Sequence, residues 1–131
     1  MPERSLDWLM QAERDLGRAG LDLEHEYFEW ACFVSQQAAE KAVKAVYLAN
    51  NRSVKGHGIL KMLHLLQSEA DFGIGEELLH NARILDRYYI EARYPNGFPT
   101  GKPADYFDRQ LAQEALHAAE TILQFCRDHV H

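Results

Sequence analysis

The chain has no apolar run near the roughly 18 residues that a membrane-spanning helix needs, and a transmembrane reading is therefore set aside. Its start, Met1-Pro2-Glu3-Arg4, lacks the basic and apolar regions of a secretory leader, so a cytoplasmic protein is expected. Only two cysteines occur, Cys32 and Cys126. They fall in different expected helices with no metal-like spacing, which argues for reduced, buried thiols rather than a disulfide framework. β-Branched residues are sparse and no sustained alternation exists, so strands are not expected. Excess positive charge is missing too. With a net charge of −6, no global field would draw in nucleic acid, and any such contact has to be local or supplied by a partner.

Catalytic signatures are equally scarce. There is no Gly-x-Ser-x-Gly elbow and no glycine-rich phosphate loop, and Cys32 lies in an apolar helix where a thiolate is disfavoured. Seven histidines are present, but none forms an HExxH or Cys/His cluster. Neither a metal nor any other cofactor is expected.

What remains is helical spacing nearly everywhere. At 131 residues with a 47% hydrophobic fraction, the chain is long enough for one domain with its own core, spanning 1–131. Ser5 is positioned to cap a first helix through about Glu24, with Leu6, Leu9, Leu16, Ala19 and Leu23 inward. A second helix runs from about Glu26 or Phe28 to Ala49. Along it Ala31, Ser35, Ala38, Ala42, Ala45 and Ala49 form a small-residue seam that lets a neighbour approach closely. Trp30, Phe33, Val34, Val43 and Val46 widen its apolar surface, marking this helix as central.

A short third helix opens at Gly56-His57-Gly58 and carries Ile59, Leu60, Leu63 and Leu66. After a turn at Asp71-Phe72-Gly73, a fourth helix starts near Ile74 with Leu78, Ala82, Leu85, Tyr89 and Ala92 on one face. It ends near Arg93, because Pro95 disfavours helical geometry before it. Residues 96–103 read as a loop. Asp105 or Asp108 begins the last helix, with Leu111, Ala115, Ala118, Ile122 and Phe125 at four-three spacing. The expected fold is an all-α, antiparallel up-and-down bundle of four main helices plus one short helix.

The richest chemistry lies from Leu85 to Pro95, where three tyrosines and two arginines crowd a helix end. Tyr89 and Arg93 share a face. Arg93 suits a phosphate, and Tyr89 or Tyr94 a stacked base. The competing reading is a polar packing joint, with Tyr89 in the core and Arg93 held by a carboxylate or the last carbonyls. A helix C-terminus repels anions by its own dipole, so Arg93 would supply the attraction itself. His57 either caps the third helix, the preferred reading, or faces a ligand. Gln37, Glu40, Lys41 and Lys44 form a solvated or partner face, with Glu40 and Lys44 an i,i+4 pair.

Several segments together resemble the HEPN domain family (higher eukaryotes and prokaryotes nucleotide-binding). They are Trp30-Ala31-Cys32-Phe33, the run from Gln36 to Ala45, His57-Gly58-Ile59-Leu60, the segment from Leu85 to Pro95, and Ala112-Gln113-Glu114-Ala115-Leu116. The resemblance implies a helical bundle that often forms homodimers and pairs with a small nucleotidyltransferase as a toxin–antitoxin module. Nucleotide or RNA binding is expected at Asp86, Tyr89, Arg93 and Tyr94. In the family many members are metal-independent ribonucleases that use an arginine and a downstream histidine with four to six residues between them. Here Tyr94-Pro95-Asn96-Gly97-Phe98-Pro99-Thr100 follows Arg93 with no histidine, so the usual proton carrier is missing. Arg52 with His57, and Arg18 with His25, match that spacing by coincidence. Only Arg52 and His57, in a loop, remain catalytic candidates. Three functions are thus open: a non-catalytic nucleotide- or RNA-binding and dimerisation module, a ribonuclease toxin, and a purely structural interaction domain.

Overall fold

A computed structural model describes residues 3–130. Five helices and one isolated helical turn form an antiparallel bundle: α1 (Ser5–Glu24), α2 (Phe28–Ala49), α3 (Ile59–Ala70), α4 (Glu76–Asp86), the turn α5 (Tyr88–Glu91) and α6 (Arg109–Arg127). The expected all-α class holds, and no strand occurs among the described residues. Among those residues, no helix is long and apolar enough to cross a membrane.

The second helix is central, touching α1, α3, α4, α5 and α6. Its seam explains this. Ala31, Ser35, Ala38, Ala42 and Ala45 have no exposed surface, so two long neighbours lie against it with little side-chain bulk between. Facing alanines recur on α1 (Ala12, Ala19) and α6 (Ala112, Ala115, Ala118, Ala119), all buried. Larger residues (Ile59, Met62, Leu63, Leu66, Leu85, Ile122, Leu123) fill the remaining core. Both cysteines are free and buried, and burial pushes the Cys32 thiol up to about 12.

Several local expectations are corrected. Ser5 is the first helical residue rather than the cap, and its buried hydroxyl has no partner among the described residues. Its backbone N–H donates instead to the Glu3 carboxylate. Leu6, expected inward, is exposed, and Ala12 takes a core position. Trp30 is exposed as well. Of the two candidate starts for the last helix, Asp108 is the cap, accepting from Leu111 N at 2.9 Å. Asp71 closes α3 in the left-handed region (φ 55°), where Asp is among the few residues tolerated.

The largest correction concerns the fourth helix. It starts at Glu76, not near Ile74, and it does not run unbroken to Arg93. It stops at Asp86, and the chain re-enters helix for one turn from Tyr88. Arg87 keeps helical backbone angles (φ −65°, ψ −24°), so Tyr88 and Ala92 follow Leu85 at the three-four spacing of one buried face. Tyr88 becomes the buried tyrosine, packed against Phe107 at 5.6 Å between ring centroids. Tyr89, expected in the core face, lies half-buried at the edge.

Candidate functional site: an arginine held among aromatic rings

Arg93 sits just beyond the α5 turn. Its Nε donates to the Tyr89 carbonyl at 2.9 Å, which satisfies one orphan acceptor of the helix end. Its guanidinium carbon lies 4.4 Å from the centre of the Phe33 ring, 4.7 Å from Tyr89 and 5.0 Å from Tyr94. Each distance is within cation–π range. Among the described residues no carboxylate pairs with Arg93, and its two terminal nitrogens have no hydrogen-bond partner there. The packing-joint reading is therefore met by the carbonyl contact alone. The rest of the guanidinium is fixed in place but not neutralised.

The same tyrosine ring carries a histidine. His57 stacks on Tyr89 with ring centroids 4.1 Å apart and an 18° interplanar angle. Its Nδ1 is 2.9 Å from Glu40 Oε1. Glu40 is 6% exposed and His57 48%, so a buried carboxylate orients a half-exposed imidazole. Glu40 also accepts from Gln36 Nε2 and Lys44 Nζ, each at 3.1 Å. The expected Glu40–Lys44 pair is present, but Glu40 is not on a solvated face. Glu40 was missed as a functional candidate because its link to His57 crosses from α2 to the loop before α3. Spacing along one helix carries no signal of that contact.

His57 does not cap α3, contrary to the preferred reading. Asp86 does so from the end of α4. Its Oδ1 accepts from Ile59 N at 2.8 Å and its Oδ2 from Leu60 N at 3.1 Å. Both oxygens are engaged by backbone, so Asp86 belongs to the framework under the site rather than to its ligand face. Burial raises its pKa above the ordinary carboxylate value, and the two N–H donors oppose this only in part.

Arg52 is likewise elsewhere. It donates to the Glu69 carbonyl at 3.0 Å and faces the Glu69 carboxylate, at the far end of α3 from His57. The twelve-residue helix between them spans roughly 18 Å. The sequence coincidence of Arg52 with His57 is therefore not a spatial pair. The structure instead joins His57 to Arg93 through Tyr89.

Beside Arg93 lies an open cleft of about 270 Å³, bounded by Glu29, Trp30, Arg93, Pro95, Lys102 and Pro103, with Glu29 its one acid. Trp30 stands edge-on to Phe33 at 6.0 Å. Stacking rings and cations therefore continue from His57 through Tyr89, Arg93 and Phe33 to Trp30. Such a surface can stack a planar group and place an anion on a fixed guanidinium.

A helical bundle with this corner at the end of its fourth helix matches a known class. The HEPN domain family matches residues 5–129, and the chain belongs to that family. It is 40% identical to TT1696 from Thermus thermophilus, whose crystal structure superposes with a TM-score of 0.93 over 98% of this chain and 100% of that one. ST0689, an archaeal HEPN homologue, is 35% identical with a TM-score of 0.81, covering 97% and 98% of the two chains. The Methanocaldococcus jannaschii protein named Putative toxin MJ1304 is 26% identical over 129 residues, covering 92% of this chain and 84% of that protein.

Proposed function

We propose that this HEPN-domain protein binds a nucleotide or an RNA end at Tyr89, Arg93 and Tyr94. It acts as a cytoplasmic homodimer beside a small nucleotidyltransferase partner in a toxin–antitoxin-type system. The observation that carries the binding reading is the guanidinium of Arg93, held among three rings with no carboxylate against it among the described residues. A cation kept immobile yet un-neutralised is suited to a phosphate. A relative named as a toxin supports the module context.

Binding to the native state raises stability by mass action. Millimolar AMP, ATP or GTP is therefore expected to raise the melting temperature of the wild type. Arg93→Ala, which removes a charged hydrogen-bond donor worth about 1.5–3 kcal/mol, is expected to weaken binding about tenfold or more. No stabilisation by any nucleotide or by a short RNA removes the binding reading. Lost stability in Arg93→Ala with unchanged binding favours the purely structural domain.

One observation favours a second reading, a metal-independent ribonuclease. The imidazole absent after Arg93 in sequence is supplied by His57, which stacks on the same Tyr89 ring as Arg93 and turns its Nδ1 to buried Glu40. The free Nε2 would take the proton of a ribose 2′-hydroxyl as its oxygen attacks phosphorus. The departing 5′-oxygen takes a proton from water, and Arg93 offsets the phosphate charge. RNA cleavage in EDTA that drops at least a hundredfold in His57→Ala is the expected result. Undiminished cleavage in that variant rejects this use of His57.

A further inference from the structure

The cleft beside Arg93 brings two opposite charges together without pairing them. Arg93 lines it from beyond the α5 turn, and Glu29 lines it from the first turn of α2. Only Nε of Arg93 is engaged among the described residues. Glu29 is half-buried and has neither an ion-pair nor a hydrogen-bond partner among them. Its place at the start of α2 complements the helix dipole, but that local role uses neither carboxylate oxygen in a hydrogen bond. The second cation of the cleft, Lys102, is paired with Asp105 at 2.9 Å. Among the described residues, the unengaged charges of the lining are thus one guanidinium and one carboxylate.

The rings near Arg93 are unequally available. Tyr89 is stacked by His57 at 4.1 Å and also carries the guanidinium at 4.7 Å. Phe33 carries the same guanidinium at 4.4 Å, and Tyr94 carries it at 5.0 Å without lining the cleft. Trp30 lines the cleft, is 41% exposed and meets only the Phe33 ring, at 79° between planes. No cation lies over it among the described residues. The indole is therefore the ring with most room for a planar body.

We propose, resting on the nucleotide reading of this corner, that the cleft selects guanine: the base stacks on Trp30, its Watson–Crick edge donates to Glu29, and its phosphate meets Arg93. Guanine alone among the four bases presents two adjacent donors on that edge, N1–H and the N2 amino group. A carboxylate accepts two such parallel hydrogen bonds. Adenine and cytosine place one amino group beside a ring-nitrogen acceptor, which meets a carboxylate with like partial charge. Uracil has one N–H between two carbonyls. The Glu29 carboxylate also repels a phosphate, which fixes the direction of the ligand, base towards α2 and phosphate towards Arg93. On an RNA the same contacts select a 5′-phosphorylated guanosine at its end.

Calorimetry on the full chain compares GMP, AMP, CMP, UMP and IMP. GMP is expected to bind about tenfold or more tighter than AMP, CMP or UMP. IMP, which lacks the N2 amino group, is expected to fall between. In Trp8→Phe, where Trp30 is the remaining tryptophan, GMP is expected to quench the indole fluorescence. Glu29→Gln is expected to bring GMP down to the level of AMP while AMP binds no worse, and Arg93→Ala is expected to weaken all five alike. Equal binding of GMP and AMP to the wild type overturns the guanine preference and leaves the nucleotide reading standing, whereas no binding of any nucleotide removes both. A GMP preference that survives in Glu29→Gln overturns the role of Glu29. Calorimetric binding without Trp30 quenching overturns the stacking partner. A short RNA with a 5′-phosphorylated guanosine that binds tighter than GMP assigns the site to an RNA end, and one that binds no tighter assigns it to the free nucleotide.

Discussion

Asp86→Ala is expected to lower the unfolding free energy by about 2–4 kcal/mol, because it strands two backbone donors at the start of α3. The Ile59 and Leu60 N–H groups both end on this carboxylate, and Ile59 is fully buried, so water cannot easily replace it. No side chain of the α3 cap residue does the work, since that residue is Gly58. Asp86→Asn keeps an acceptor and is expected to recover about half of the loss. Urea unfolding of the three proteins measures this, and equal stability of wild type and Asp86→Ala would reject the remote-cap role.

The same group gives a pH signature. Burial raises the Asp86 pKa above its ordinary value of 3.8, so between these two values the native state holds a proton that the unfolded chain has released. Stability then falls as pH rises through that window. The contribution is fully present below the unfolded value and lost above the folded one. The stability gap between wild type and Asp86→Asn is therefore expected to narrow as pH rises from about 3 towards the folded pKa.

Ala42→Leu is expected to destabilise the bundle by about 3 kcal/mol, although the new residue is more hydrophobic and a good helix former. Ala42 has no exposed surface, and its seam neighbours Ala38 and Ala45 have none either. Three added carbons have no void to enter, so either α2 or one of its neighbours must move away. Ala42→Gly, which adds no bulk, is expected to cost only about 1–2 kcal/mol through lost helix propensity and one lost methyl contact. Thermal unfolding orders the two variants. A milder effect from leucine than from glycine would mean that the seam is not close-packed.

Much of this architecture is written locally in the chain. The bounds of α2, the alanine seam, the apolar stripe of α3 and the Asp108 cap all come from periodicity and capping chemistry within a few residues. The break after Asp86 does not. Leu78, Ala82, Leu85 and Ala92 fit one continuous stripe, and nothing near Asp86 in sequence marks it as the partner of N–H groups on a helix that begins more than twenty residues earlier. The aromatic corner was half legible. Arg93 stands out by its neighbours in sequence, and its rings Tyr89 and Tyr94 are close along the chain. Phe33, Glu40 and His57 reach the same corner from α2 and from the loop before α3, so no spacing rule could assemble them. Arg52 and His57 show the converse error, where proximity in sequence is undone by a helix between their contacts.

The break between α4 and α5 has a consequence for how the molecule opens. At its near side Asp86 holds the beginning of α3, and just beyond it Tyr88 and Tyr89 divide between the interior and the corner. A local fluctuation that unwinds this junction would release the α3 amides, expose the Tyr88 phenol and dismantle the platform beneath Arg93 and His57 in one event. The aromatic corner and the start of α3 thus depend on one short junction, with Asp86 on its near side and Tyr89 on its far side.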